Sequence, residues 1–447
     1  MNGPGPAPTG PVTGGSRLRL ASVTGMSLVA CGLILGCGGE PTPKPRLPVA
    51  TIWSGAALSG PQREQSLLAS RAIRGAIHDL RSLARGRYQV RYVALDDSSR
   101  AAAGWDPAVV AANARRAAVA NSTMAYIGES DSGATAVALP ILNQSGVLQL
   151  TASSTAEGLT RTGLGAGPGA PFQYYPSGKR TLVRLVPRDS LQGALIAALA
   201  KGGGCRSMAI IDDGSIYGAG LTEIVATEAV ARRIRVTFAG TVEPRADSYR
   251  QSLRRARASC LLYAGDAGPD AVRVVTDAAR RNPRAKVYGP DSLVNPTFVD
   301  PGRGGIGPGL ARRVRLIGAI GPPSSLPPFG RWLSDRLGAR ASDMRAPSVA
   351  SSYAAAELVL RCLRRTFDRT GFESRRADDS RRSMVSCAVG RRHRSAAIGR
   401  YRVLPTGDSS LRSYSLFRID RGRIVLDRAL RPPRLVAAPE PMADTNR

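Results

Sequence analysis

The sequence predicts an α/β protein built as two lobes joined by a hinge. Short apolar strands alternate with segments of helical spacing from Val49 to Tyr288, the pattern of successive parallel βαβ units. A Gly- and Pro-rich break, Gly163–Tyr175, divides that alternation into two series of similar size. In both series the strands run out into loops rich in Gly, Ser, Thr and Asp, at the edge where open α/β sheets bind ligands.

The first strand, Val49–Trp53, leads into a loop at Gly55–Pro61. Apolar residues at Leu67, Leu68, Ile73, Ile77 and Leu80 then fall on one helical face. Tyr88–Leu95 alternates as a strand and stops at Asp96-Asp97-Ser98-Ser99. Asp106–Ala120 is an alanine-rich helix with Pro107 just inside its start, where a missing N–H does no harm. Next comes the most informative unit. Strand Ala125–Ile127, polar turn Gly128–Gly133, helix Ala134–Asn143, strand Gly146–Leu150 and hydroxyl-rich loop Thr151–Thr155 follow in order.

The second series begins with helix Leu191–Ala200, strand Ser207–Ile211 and turn Asp212–Gly218. Helices Gly220–Arg233, Tyr249–Ala258 and Pro269–Arg281 alternate with strands Arg235–Phe238, Leu261–Ala264 and Ala285–Tyr288. One more strand lies within Arg312–Ile320. Helices at Phe329–Leu337, Val349–Thr366 and Asp378–Val389 come after it. Gly399–Leu404, Tyr414–Asp420 and Arg423–Leu426 read as antiparallel hairpins.

Composition sets the setting. The chain of 447 residues is 43% hydrophobic, enough for two substantial cores. Its net charge is +30, and all but four of its 63 basic residues are arginine. Such a balance raises nucleic-acid binding. The arginines are scattered, however, with no aromatic-interleaved stripe and no nucleic-acid motif, so no nucleic-acid partner is expected. A cationic surface facing an anionic envelope fits better.

At the N-terminus, Arg17 and Arg19 precede an apolar run, Leu20–Gly36, too short and too rich in small residues for a stable span. It ends in Ile34-Leu35-Gly36-Cys37, which resembles a bacterial lipoprotein signal with Cys37 as the lipidated residue. Leu28-Val29-Ala30-Cys31 is a competing match, but Cys31 would leave an apolar stretch dangling. Removing Cys31 and anchoring through Cys37 leaves Cys205, Cys260, Cys362 and Cys387, an even set suited to an oxidising compartment. Cys205 with Cys260 and Cys362 with Cys387 are candidate disulfides; four buried thiols are the alternative.

The turn before Ala134 offers helix N–H groups and the positive end of a dipole, fit for an anion such as a carboxylate. Ser130, Ser132, Thr151, Ser153, Ser154 and Thr155 supply hydroxyls there, and the same hydroxyls equally suit capping and turn closure. Catalysis has little support. Gly128-x-Ser130-x-Ser132 breaks the nucleophile-elbow pattern, and His78 and His393 are the only histidines. No HExxH, CxxC or P-loop pattern appears, so neither a metal nor another cofactor is expected.

Nine segments in order carry a resemblance to a known family. They are SGP at Ser59–Pro61, LDDS at Leu95–Ser98, WDP at Trp105–Pro107, YIGESDSGAT at Tyr126–Thr135 and ALPILNQSGVLQLTASST at Ala138–Thr155. YYPSGKRTLVRLVPRDSLQG at Tyr174–Gly193, DDGSIYGAGL at Asp212–Leu221, YGPDS at Tyr288–Ser292 and SYAAAEL at Ser352–Leu358 complete the set. Over residues 49–430 the chain resembles the leucine/isoleucine/valine-binding family of type I periplasmic binding proteins, in its lipoprotein form. The resemblance implies two Rossmann-like lobes joined by a three-strand hinge near 185–188, 319–323 and 395–399. It places residues 49–184 with 322–395 in lobe 1 and 188–321 with 396–431 in lobe 2. A signal peptide at 1–36, an anchor and tether at 37–48 and a disordered tail at 432–447 would flank them.

The resemblance implies no enzyme but a receptor for a small amino-acid-like solute. It would be monomeric, lipid-anchored on the outer face of the cell membrane, and would serve the permease subunits of an ABC importer. A sensing or interaction module of the same fold is the alternative. Ser132, Ser153 and Thr155 would hold a carboxylate, Tyr217 would close over the ligand, Asp291 would take an ammonium, and Leu58 would touch the side chain. Asp189 matches a polar position near the hinge. Asp266 and Asp131 depart from the family pattern: Asp266 favours a second cationic group, while Asp131 repels a carboxylate unless it points outward.

Overall fold

The computed structural model describes residues 46–436 except 103, 244, 339–347 and 373–376. The expected signal peptide, both candidate lipidation cysteines and most of the tether lie outside the described residues. The described residues from Leu47 on cluster as one compact unit.

The first lobe comprises β1 (Val49–Ala56), α1 (Arg63–Asp79), β2 (Gln89–Asp96), a short antiparallel pair β3 (Ser98–Ser99) and β4 (Gly104–Trp105), and α2 (Pro107–Val119). Then follow β5 (Thr123–Ile127), α3 (Ser132–Gln144), β6 (Leu148–Thr151) and β7 (Leu182–Arg184). Its five strands form a parallel sheet in the order β2-β1-β5-β6-β7. The central strand β5 is buried throughout, as a parallel strand covered by helices on both faces must be. Asp106 starts α2 by accepting N–H bonds from Ala108 and Val109, with Pro107 at the first helical position.

The second lobe runs α4 (Asp189–Gly202), β8 (Ser207–Asp212), α5 (Ile216–Ala231), β9 (Arg235–Thr241), β10 (Cys260–Ala264), α6 (Pro269–Arg281) and β11 (Lys286–Gly289). Two single-turn helices, α7 (Pro296–Val299) and α8 (Pro308–Ala311), precede β12 (Val314–Gly318). The chain then returns to the first lobe with α9 (Pro328–Gly338), α10 (Ser348–Thr370), α11 (Ala377–Ala388) and the hairpin β13 (Arg392–Ser395) and β14 (Gly399–Arg402). It ends on the second with β15 (Tyr414–Asp420) and β16 (Arg423–Leu430). The second sheet has the order β16-β15-β12-β11-β10-β8-β9, antiparallel only at the β12–β15–β16 edge.

Three expectations are corrected. Ala397, Tyr401 and Val403 sit in the same apolar core as α1, β5 and α10, and Leu411 packs on it, so residues 396–411 belong to the first lobe. The last return to the second lobe is therefore at 411–414, ahead of Tyr414 in the other core, and not at 395–399. The expected helix at Tyr249–Ala258 is a run of turns, with Tyr249, Leu253 and Ala256 still buried. The start of the expected disordered tail is docked: Leu435 packs against the second core, and the Val436 N–H donates to Glu228 Oε1 at 3.1 Å. Residues 437–447 lie outside the described residues.

Cys205 and Cys260 are joined at a Cα separation of 5.8 Å, tying the starts of neighbouring β8 and β10. Cys362 and Cys387 are joined at 5.7 Å, tying α10 to α11.

Candidate functional site

The cleft is lined from the carboxyl ends of parallel strands: by 128–131 after β5, Ala152, Ser153 and Thr155 after β6, Asp266 after β10 and Asp291 and Ser292 after β11. Gln62, Val186 and Ala319 after β1, β7 and β12 join them, with Tyr217 in the first turn of α5. The two loops of the first lobe are fastened together. Thr151 Oγ1 and Ser154 Oγ donate to the Glu129 carbonyl at 3.0 and 3.2 Å, Thr135 and Ser154 hydroxyls meet at 2.7 Å, and the Ala156 N–H donates to Ser132 Oγ at 3.2 Å. Most of the hydroxyls in this unit thus close turns, which fixes the floor of the cleft.

Ser132, Ser153, Thr155, Tyr217, Asp266 and Asp291 all line one cavity of about 120 Å³ between the lobes. That is room for on the order of ten water-sized groups, the scale of a single small solute. Leu58 is not brought into the lining. Its N–H is tied to Asp96 Oδ1 at 3.0 Å, which holds this part of the loop against the end of the edge strand β2. Two further expectations change in detail. Asp131 caps α3, accepting from the Gly133 and Ala134 N–H groups at 2.7 and 3.3 Å, so those donors are already occupied. The Thr155 hydroxyl turns to the buried carboxyl of Asp189.

On the second lobe Tyr217 Oη donates to Asp291 Oδ1 at 2.7 Å. Gln192 grips the same aspartate twice: its Nε2 donates to Oδ1 at 2.9 Å, and its Oε1 accepts the Asp291 N–H at 2.9 Å. Gln192 Nε2 also reaches Asp189 Oδ1 at 2.9 Å. Asp266 is placed by its own N–H, which donates to Asp213 Oδ2 at 2.8 Å, and Asp213 is in turn held by the Ser215 hydroxyl at 2.6 Å.

Sequence reasoning missed Glu129. It is 1% exposed and lines the cavity, and its Oε1 accepts from the Tyr126 hydroxyl at 2.5 Å while Oε2 has no hydrogen-bond partner. Gly55 leaves the space it needs: a Cβ there would collide with the Tyr126 hydroxyl and the Glu129 carboxylate. Asp97, 0% exposed, lies beside it. The visible signal was Glu129 itself, in the Gly-Glu-Ser after β5, read there as ordinary turn polarity.

The electrostatics follow from this placement. The lining contains four carboxyls, Glu129, Asp131, Asp266 and Asp291, and among the described residues no Lys, Arg or His, in a chain of net charge +30. Burial, then the charge and hydrogen bond of Asp131 across the cleft, push Asp266 well above the usual carboxyl range. Burial and the neighbouring Asp97 do the same to Glu129, and burial lifts Asp97 to about 6. Burial also raises Asp291 and, with Asp291 beside it, raises Asp189 strongly. The site pays for its acids unless a cation joins them.

The lobes are in contact around the cleft. Gln65 Nε2 donates to the Val294 carbonyl at 2.9 Å, Asn295 Nδ2 to the Pro61 carbonyl at 3.2 Å, and Arg303 pairs with Glu64 at 2.8 Å. Elsewhere Arg245 reaches the Ala101 carbonyl at 2.8 Å, and the Gly165 N–H reaches Glu223 at 3.0 Å.

Residues 56–386 match the family model described as periplasmic binding protein. No curated protein matches the chain at the sequence level. Among solved structures it is similar to the leucine binding protein LivK of Thermotoga maritima (TM-score 0.68, 17% identity, 86% of this chain and 99% of that one). It is also similar to LivJ of Streptococcus pneumoniae, a branched-chain amino acid transporter substrate binding protein in complex with isoleucine (0.65, 15%, 86% and 100%). A third is an ABC transporter solute binding protein of R. palustris in complex with 4-hydroxybenzoate (0.66, 15%, 86% and 97%).

Proposed function

The chain belongs to the periplasmic binding protein family, and on that footing we propose that it captures a small amino-acid-like solute carrying a second cationic group. The capture serves an ABC importer on the outer face of the membrane, with the chain tethered as a monomer through Cys37. The observation that carries the choice of ligand is the meeting of Asp131 from the first lobe with Asp266 from the second, inside a lining without a cation among the described residues.

With the cleft empty, closing the lobes lets Asp266 meet Asp131 only if Asp266 holds a proton, a cost to closure that grows with pH. A ligand ammonium or guanidinium between them takes the place of that proton and is attracted to both carboxylates. Closure is then favoured by the ligand's differential affinity for the closed state, which is the only way a ligand shifts such an equilibrium. Asp291, held by Tyr217 and Gln192, takes the α-ammonium through a charge-assisted bond. The hydroxyls of Ser132 and Ser153 remain for the carboxylate, in agreement with their place in the lining. A ligand with a carboxylate and no ammonium, such as the 4-hydroxybenzoate of one structural neighbour, would add an anion to four carboxyls.

A thermal-shift panel of lysine, arginine, ornithine, putrescine, leucine, isoleucine and 4-hydroxybenzoate tests this. A ligand at 100 times its dissociation constant adds about 2.7 kcal/mol of stability, a shift readily seen in a melt. The basic amino acids are expected to raise the melting temperature most. A shift with leucine or 4-hydroxybenzoate and none with the basic compounds would overturn the proposal.

A further inference from the structure

Away from the cleft, the first lobe carries a second concavity of about 670 Å³, and its chemistry is the opposite. Arg361 and Arg365 lie one turn apart on α10, and Arg392, Arg394, Arg400 and Arg402 come from the β13–β14 hairpin. The register puts Arg392 directly opposite Arg402 and Arg394 directly opposite Arg400. Like charges facing each other across a strand pair are destabilising, and here two such pairs stand side by side. Among the described residues no Asp or Glu lines the concavity. The nearby carboxylate of Glu357 is taken by Arg361 at 2.8 Å and by the Ala396 N–H at 3.0 Å. The floor is firm: Cys362–Cys387 ties the two helices beneath, and the His393 ring packs on Tyr401 with centroids 5.5 Å apart.

We propose that this arginine cradle is a binding site for phosphate oxyanions, whose several oxygens match guanidinium forks presented around one concavity. The same chemistry is offered by an anionic lipid headgroup and by a soluble phosphate compound. Nucleic acid is disfavoured because Tyr401 is 5% exposed and gives bases no platform to stack on. An anion in the cradle neutralises both cross-strand pairs, so the hairpin is most stable when occupied.

The test compares the full chain with two variants of equal net charge. One carries Arg392→Ser, Arg394→Ser, Arg400→Ser and Arg402→Ser; the other carries Arg254→Ser, Arg255→Ser, Arg257→Ser and Arg281→Ser, exposed arginines of the second lobe. Each is titrated with pyrophosphate and with phosphatidylglycerol/phosphatidylcholine vesicles. The cradle variant should lose about tenfold or more in affinity for at least one probe, and the control little, because paired contacts and diffuse charge differ in this way. Binding of pyrophosphate identifies a soluble ligand, and binding of vesicles alone identifies a headgroup. Without either probe the cradle variant should melt no lower than the parent, since it has lost only repulsion. His393 and His78 are the only histidines, so their ring signals are easily told apart. The bound anion should raise the pKa of His393, now held down by burial and by Arg365 and Arg391, and leave His78 unmoved. Equal weakening of both variants, or no binding of either probe by the parent, would overturn the proposal.

Discussion

At the scale of single residues, the cleft and its walls are defined by acids, with Asp97, Glu129 and Asp189 buried and Asp266 and Asp291 half-buried. Asp97, Glu129, Asp189, Asp266 and Asp291 all have pKa values raised, chiefly by burial. A carboxyl whose folded value lies above its unfolded value of about 4 weakens the fold while ionised, and the penalty fades as pH falls through the folded value. The ligand-free chain should therefore melt several degrees higher at pH 5 than at pH 8, and a basic ligand should bind more weakly at pH 5 as its partners take up protons. Differential scanning calorimetry and titration at the two pH values check both signs. A melting temperature that falls from pH 8 to pH 5 would mean these acids are paired with cations already.

At the scale of elements, one buried network fixes how the end of the chain meets the first sheet. Arg184, at the end of β7 and 0% exposed, bonds Asp408 through Nε and Nη2 at 3.1 and 2.8 Å and donates through Nη1 to the Ala156 carbonyl at 2.7 Å. Arg161 reaches the other Asp408 oxygen at 2.7 Å. Burial opposes ionisation of Asp408, yet Arg184 and Arg161 outweigh it and hold this carboxyl far below the usual range. Asp408→Ala strands a fully buried guanidinium and should cost about 3–5 kcal/mol, measurable by denaturant unfolding. A loss under about 1 kcal/mol would place the network among surface pairs in its effect.

The elements also show what the sequence could and could not disclose. The βαβ unit from Thr123 to Thr151 was legible because its strands are uninterrupted apolar runs and its turn is polar. The turn at Asp212–Gly218 carried the same signal. The hairpin at 392–402 was legible only in its second strand, which falls within the expected Gly399–Leu404. Its first strand is arginine-rich, and the packing of Ala397, Tyr401 and Val403 on the first core is a long-range contact that no local pattern encodes. The segment 249–258 has helical spacing in Tyr249, Leu253 and Ala256, but those positions are satisfied by docking a turn on the second core. Within the site, six of the seven ligand-binding expectations line one cavity: five came from the resemblance, and the sixth, Asp266, is a departure from it. Glu129 and the capping of α3 by Asp131 are details of side-chain direction, which one-dimensional spacing leaves open.

At the scale of the whole molecule, contact between the lobes at the rim of the cleft is polar. Gln65, Asn295 and the Glu64–Arg303 pair make it near the cleft, and an exposed ion pair of this kind contributes about 0–1 kcal/mol. On the function proposed above, closure depends on what fills the cavity more than on these rim contacts. On the same reading, the cost of bringing Asp131 and Asp266 together sets the open–closed balance in the empty protein, and a cation removes it. Small-angle scattering reads that balance directly. On adding lysine or another basic amino acid, the radius of gyration of the chain should fall, and 4-hydroxybenzoate should leave it unchanged. The variant Asp266→Asn should be compact from the outset. No compaction with basic ligands, or compaction with 4-hydroxybenzoate alone, would contradict the account of an acidic cleft closed by a cationic solute.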